Sequence, residues 1–140
     1  MRLLAALCPL FIAAASLAQS TAATLKHLNQ IEWKVSGSLP PGAEFHLIYE
    51  DPVTHSIQTL VRFPSGYSLP VHSHTHDETI FLFKGKLLIE LGDGPSTLQA
   101  GSYAMIPAGV SHSLKAKGAC TFLVSLNGPF DVKGLPNVKQ

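Results

Sequence analysis

Histidine is the residue type with the most chemical potential in this sequence. The chain has seven histidines, and His72, His74 and His76 alternate with other residues within one short segment. On an extended segment, residues two positions apart face the same side, so the imidazoles of His72 and His74 would point together. Neutral imidazole is a common ligand of transition metals. We therefore consider a metal site at this segment.

Glu78 and His112 are the residues that could complete such a site. A three-residue segment separates His74 from Glu78 and can loop out, which would return Glu78 to the face of the two imidazoles. Glu78 leads directly into an apolar stretch, where a carboxylate is costly to bury unless a cation or a donor holds it. His112 follows a Pro-Ala-Gly turn and starts a short strand, from which it could close the site. Glu78 is also a candidate catalytic base.

Three imidazoles and one carboxylate form a borderline nitrogen and oxygen donor set. This set suits one divalent ion of Mn, Fe, Zn, Ni or Co better than Ca or Mg, and it does not distinguish among the five. The four ligands would fill a tetrahedral zinc site, whereas an octahedral site would keep positions open for water, substrate or dioxygen. A divalent ion and one glutamate leave a net positive charge, which would attract an anion, an enolate or a hydroxide. A triad that uses His76 is an alternative, although we expect His76 to lie in a solvent-exposed loop.

Short strands must position these residues. β-branched and aromatic residues at period two or in short apolar blocks predict strands at 45–49, 57–63, 79–83, 86–91, 103–106 and 121–126. Turns rich in Gly and Pro separate these segments. No window after residue 30 holds helical periodicity free of Gly or Pro. The pattern predicts an all-β sandwich or barrel.

The composition indicates one globular domain. The 140 residues are 46% hydrophobic and 14% charged, which excludes an intrinsically disordered chain. The net charge is +1 and lysine and arginine do not cluster, so we expect no nucleic-acid partner.

The N-terminus has the layout of a secretory signal peptide. A positive start is followed by an apolar run, Leu3 to Ala15, which is too short to span a membrane. We predict a signal peptide over 1–18, with cleavage after Ala18 or alternatively after Ala23, and a mature domain over 19–140. The mature protein would be periplasmic or secreted, without a stable membrane anchor. Cys120 would then be the sole cysteine, and its strand pattern predicts a buried small hydrophobe.

Two spaced motifs resemble those of the cupin superfamily. The motifs are Gly66-x5-His72-x-His74-x3-Glu78-x6-Gly85 and Gly101-x5-Pro107-x-Gly109-x2-His112. Ala116 stands where the second motif has Asn. The resemblance covers residues 31–133 and is to small exported single-domain bacterial cupins of the type-2 kind.

The resemblance implies an antiparallel jelly-roll barrel of six to eight strands, a single domain, with His72, His74, Glu78 and His112 as metal ligands inside it. It also implies dioxygenase- or isomerase-type chemistry on a small molecule. The alternatives are a non-catalytic small-molecule or metal-binding protein, or a structural β-barrel interaction domain. Edge strands of such a barrel commonly pair between subunits, so a homodimer is an expectation.

Overall fold

The computed structural model describes residue 23 and residues 25–136. The predicted signal peptide, 1–18, lies outside the described residues, and so do residues 137–140. Within the described part, all regular secondary structure is β-strand. That part contains no helical segment with the length and apolar character of a membrane span.

Ten strands follow one another along the described chain. They are β1 (Lys34–Val35), β2 (Glu44–Glu50), β3 (Ile57–Phe63), β4 (Ser68–His72), β5 (Glu78–Lys84), β6 (Lys86–Leu91), β7 (Gly94–Gln99), β8 (Tyr103–Ile106), β9 (His112–Ala116) and β10 (Cys120–Leu126).

The strands form two antiparallel sheets. One sheet has the order β1-β2-β3-β10-β5-β8, and the other has the order β4-β9-β6-β7. β10 therefore pairs with β3 and β5, and β9 pairs with β4 and β6, so strands that are distant in sequence become neighbours. This is the jelly-roll arrangement, and the predicted all-β antiparallel barrel is confirmed, with ten strands in the described part where six to eight were expected.

Three strands, β1, β4 and β7, were not among those predicted from the sequence, and two of them, β4 and β7, each contain a proline. Pro70 lies in β4 and Pro95 lies in β7. A proline cannot donate a backbone hydrogen bond, so a sheet accepts it on edge strands. β4 and β7 are the two edges of the four-stranded sheet.

The core lies between the two sheets. Along β10 the side chains alternate, and Cys120, Phe122, Val124 and Leu126 are buried. Phe122 packs edge to face against Phe63 of β3, with ring centroids 5.0 Å apart. Cys120 is buried, as the alternation predicted.

A tight turn at Gly85 joins β5 to β6. Gly85 has a φ of +89°, and a Cβ atom at this position would lie 2.5 Å from the Ala119 carbonyl oxygen. Glycine is therefore required here by both backbone conformation and space.

Candidate metal centre

The four predicted site residues lie at the ends of strands that meet inside the barrel. His72 ends β4, Glu78 begins β5 and His112 begins β9, while His74 lies two residues after the end of β4. β4 and β9 are paired so that His72 stands opposite His112. All four side chains are buried. The sheet pairing thus joins two segments of the sequence at one place.

The imidazoles of His72, His74 and His112, here called the histidine triad, each offer a ring nitrogen to a common point. These three atoms lie within 4.8 Å of one another. Glu78 Oε2 lies 3.1 Å from His112 Nε2 and 3.6 Å from His74 Nε2. The structure therefore brings together all four residues that the sequence singled out.

Backbone carbonyls fix the orientation of each triad ring. The Nδ1 of His72 lies 2.7 Å from the Pro70 carbonyl oxygen, and that of His112 lies 3.1 Å from the Val110 carbonyl oxygen. The Nδ1 of His74 bonds to the Asp131 carbonyl oxygen. A carbonyl oxygen only accepts hydrogen bonds, so each Nδ1 carries the proton and each neutral ring keeps its Nε2 lone pair free. This is the orientation that a metal ligand requires.

Three buried atoms at the site have no hydrogen-bond partner among the described residues. They are His74 Nε2, Glu78 Oε2 and His112 Nε2. The 3.1 Å approach of Glu78 to His112 is thus a close contact without hydrogen-bond geometry. Buried polar atoms without partners are costly. A divalent cation among them would satisfy all three, so the donor set fits a metal ion.

The surroundings shift the pKa values of two triad rings in opposite directions. Burial lowers the pKa of His72 to about 4, so this ring is neutral at neutral pH. Burial also acts to lower the pKa of His112, but the Glu78 carboxylate and the Val110 carbonyl together outweigh it and leave that pKa above its ordinary value. A positive charge near Glu78 is therefore favoured, and a metal ion would supply it in place of a proton.

Comparison with known proteins identifies the family. Residues 21–131 match the ChrR cupin-like domain family. The chain belongs to the cupin superfamily. Its barrel is also similar to a solved structure from Methylibium petroleiphilum PM1 that bears the name of an acetylacetone dioxygenase. That similarity has a TM-score of 0.66 at 22% identity and covers 85% of this chain and 93% of the other.

Two curated relatives match this cupin over part of their length. The acetylacetone-cleaving enzyme of Acinetobacter johnsonii is 31% identical over 93 residues, which are 61% of each chain. The DNA damage-repair/toleration protein DRT102 of Arabidopsis thaliana is 29% identical over 98 residues, which are 66% of this chain and 29% of that protein. This cupin therefore spans less than two thirds of either relative.

Hydrogen bonds connect three loops around the triad of this cupin: the loop after β4, the loop after β8 and the segment after β10. The Asp131 carboxylate accepts hydrogen bonds from the Thr75 backbone N–H, at 3.0 Å, and from the Thr75 hydroxyl. The Ala108 N–H donates to Asp77 Oδ1 at 2.8 Å. Sequence reasoning missed Asp131, and no local signal could have found it, because its contacts cross from the segment after β10 to the segment after β4.

The other histidines stay outside the triad. His76 is half-buried instead of solvent-exposed, and its ring packs so closely against Gly128 that a Cβ atom at that position would clash with it. His46 Nδ1 bonds to the Glu32 carbonyl oxygen at 2.8 Å, and His55 bonds to Glu50. The alternative triad that uses His76 is therefore not the one that the structure assembles.

Proposed function

We propose that this cupin holds one divalent transition-metal ion through His72, His74, Glu78 and His112, and that it is a metal-dependent enzyme acting on a small molecule. The observation that carries the proposal is the convergence of buried, unpartnered Nε2 and carboxylate atoms on one point. A structural domain without a metal would have no use for three such atoms in its interior.

The residues divide the work at the site. When bound, the ion would supply Lewis acidity toward substrate oxygen atoms. The triad would hold it through neutral Nε2 atoms, and the carbonyls of Pro70, Val110 and Asp131 keep the rings in place. Glu78 would balance part of the positive charge and would accept a proton from a substrate carbon next to a carbonyl. The buried position of Glu78 keeps competing water away from that carboxylate.

A small enolisable dicarbonyl compound is the substrate class that we favour, with dioxygen as co-substrate. The name of the Acinetobacter johnsonii relative, an acetylacetone-cleaving enzyme, supports dioxygenase-type chemistry over isomerase-type chemistry. The positive charge that a divalent ion and one carboxylate leave would stabilise an enolate, which agrees with this class.

Metal content tests the first half of the proposal. We expect purified wild-type protein to retain about one transition-metal ion per chain by inductively coupled plasma mass spectrometry. His112→Ala should lose it, whereas His76→Ala, a change in the same region but outside the triad, should retain it. Equal metal content in the two variants would refute the assignment of ligands.

Oxygen consumption tests the second half. Protein loaded separately with Fe, Mn, Co, Ni or Zn would be mixed with acetylacetone in an oxygen electrode. We expect at least one metal form to consume dioxygen in proportion to acetylacetone, with His112→Ala at background. If the protein is fully occupied by metal but neither dioxygen nor acetylacetone is consumed, the enzyme hypothesis is refuted and a metal-binding protein remains.

We also propose export and self-association. The residue pattern at 1–18 supports export to the periplasm or the medium. Fusion of residues 1–23 to a reporter that is active only outside the cytoplasm tests this proposal.

The proposed homodimer is supported by exposed apolar side chains on β5 and on the edge strand β8, namely Phe81, Phe83, Tyr103 and Met105. Sedimentation should give a dimer that Tyr103→Glu converts to a monomer; a wild-type monomer would refute it.

A further inference from the structure

A cavity of about 470 Å³ opens beside the triad, within the range of small-molecule sites. Its wall is mainly apolar. The apolar side chains include Leu39, Phe45, Leu47, Ile57, Val61 and Phe130. The Thr59 hydroxyl also lies at this wall, but it already donates to the His46 carbonyl oxygen at 3.1 Å. The wall thus suits an apolar body.

The cavity lies next to the triad, and no triad residue lines it. Ile57 pairs with Leu126, and Leu126 pairs with Glu78, so a single strand lies between the cavity wall and the candidate metal ligand. Phe130 lines the cavity, and its ring centroid is 6.3 Å from that of His74. Phe130 therefore borders both the cavity and the triad.

Glu50 and His55 provide charged and titratable groups at the cavity. His55 Nδ1 lies 2.9 Å from Glu50 Oε1, and both residues line the cavity. Because a carboxylate accepts, the Nδ1–H of His55 donates to Glu50, which leaves His55 Nε2 and the other Glu50 oxygen as acceptors. Neither residue belongs to the triad.

The loop that carries His55 is built to hold it in an unusual conformation. His55 has a φ of +56° and is the non-glycine residue with positive φ in the described chain. Asp51 Oδ1 accepts hydrogen bonds from the N–H groups of Val53 and Thr54, at 2.9 and 2.7 Å, and the Asp51 carbonyl accepts the N–H of His55. Such strained positions, when held by surrounding bonds, are often found where a side chain is placed for use.

The cavity lining disfavours anions. Among the described residues that line it, none is lysine or arginine, and Glu50 is acidic. Arg62 of β3 is engaged elsewhere, in an ion pair with Glu44 and over the ring of Trp33 at 4.5 Å. An anionic head group would therefore meet a carboxylate and find no cation among these side chains.

We propose that this cavity binds a neutral apolar small molecule that carries one hydrogen-bond donor, a hydroxyl or an amine, and that the Glu50–His55 pair accepts that donor. The inference goes beyond the proposed function, because the cavity needs no metal ion to bind its ligand. It assigns the pair a recognition role at a site of its own.

A fluorescent probe of this chemistry tests the cavity. N-phenyl-1-naphthylamine is neutral and apolar and has one N–H group. We expect saturable binding to the wild-type protein, with and without added metal, and a loss of about tenfold or more in affinity for Leu47→Trp, which fills the cavity. Thr97→Trp is the matched control, because Thr97 is exposed on the edge strand β7 and does not line the cavity; it should bind as the wild type does.

The polar end is tested with ligand and protein changes together. The N-methyl analogue, which lacks the donor, and the 8-sulfonate analogue, which adds a negative charge, should each bind several-fold more weakly. His55→Asn and Glu50→Gln should weaken the probe several-fold and reduce the difference between probe and N-methyl analogue; asparagine tolerates the positive φ of position 55.

The outcomes separate this inference from the proposed function. His112→Ala should bind the probe as the wild type does while losing its metal. If the wild-type protein retains no metal but still binds the probe, and the cavity variants weaken that binding as expected, only the metal proposal is refuted. Absence of saturable binding, unchanged affinity in Leu47→Trp, or equal affinity for the sulfonate analogue would overturn the cavity assignment. Circular dichroism verifies that each variant folds. If Leu47→Trp does not fold, the probe affinity of His55→Asn decides the test.

Discussion

His74 and Asp131 are far apart in the sequence, yet the His74 ring donates a hydrogen bond from Nδ1 to the Asp131 backbone carbonyl. The Asp131 carboxylate at the same time holds Thr75, the residue next to His74. Asp131, in the segment that follows β10, thus fixes both the rotation of a triad ring and the position of the loop that carries this ring. Contacts of this kind around metal ligands strongly affect metal affinity.

Asp131→Ala should weaken metal binding without changing any proposed ligand. The substitution keeps the backbone carbonyl but removes the carboxylate that fixes Thr75, so the His74 loop gains freedom. We expect a loss of about tenfold in affinity, measured by competition with a chelating dye. Asp93→Ala, at an exposed turn position between β6 and β7, is the matched control and should retain wild-type affinity. Equal metal affinities for the two variants would show that the hydrogen bonds between Asp131 and Thr75 do not support the metal site.

Glu78→Gln should separate metal binding from turnover. The carboxamide has nearly the shape of the carboxylate but lacks its charge and its ability to accept a proton. We expect the three imidazoles to keep an ion with reduced affinity, while acetylacetone-dependent oxygen consumption at saturating metal falls by about a hundredfold or more. Oxygen consumption and metal content measured on the same sample test this. Activity near the wild-type level at full occupancy would exclude Glu78 as a base.

The sequence predicted those features that depend on local pattern. The strands rich in β-branched and aromatic residues, such as Ile57–Phe63 and Lys86–Leu91, were predicted within a residue of their bounds. The proline-containing strands β4 and β7 were missed, because the local strand propensity of proline is low. The sheet tolerates these prolines because both strands lie at its edges, which the local sequence does not reveal.

The site divides in the same way. His72, His74 and Glu78 are close in sequence, so their spacing indicated a common site. The turn before His112, together with the paired motifs, added that residue. The carbonyls that orient the rings left no trace in the sequence, because any residue type supplies a carbonyl. His55 was not among the candidate residues, since its pairing with Glu50 at a cavity depends on the fold of β2 and β3.

Gly85→Ala should destabilise the barrel by at least about 2 kcal/mol. The new methyl group would have to occupy space held by the Ala119 carbonyl oxygen and Cys120, at a φ that non-glycine residues rarely adopt. Gly92→Ala is the control, because no heavy atom lies within 4 Å of a Cβ atom there and its φ is not positive. Urea unfolding at fixed metal content measures both free energies of unfolding. A cost for Gly92→Ala that equals that of Gly85→Ala would contradict the argument.

Cys120 should resist thiol reagents for as long as the barrel is folded. Burial raises the pKa of its thiol to about 11, so at pH 8 roughly one molecule in a thousand carries the reactive thiolate, and the sulfur is also shielded from the reagent. In a chain with Cys8→Ser, we expect Ellman's reagent to label Cys120 slowly in buffer and within the mixing time in concentrated guanidinium chloride. Adding Ser96→Cys, at an exposed position of β7, should restore one fast-reacting thiol in the native state. Rapid native labelling without that addition would mean that the sheet at β10 opens readily, because the thiol can react only when it is exposed.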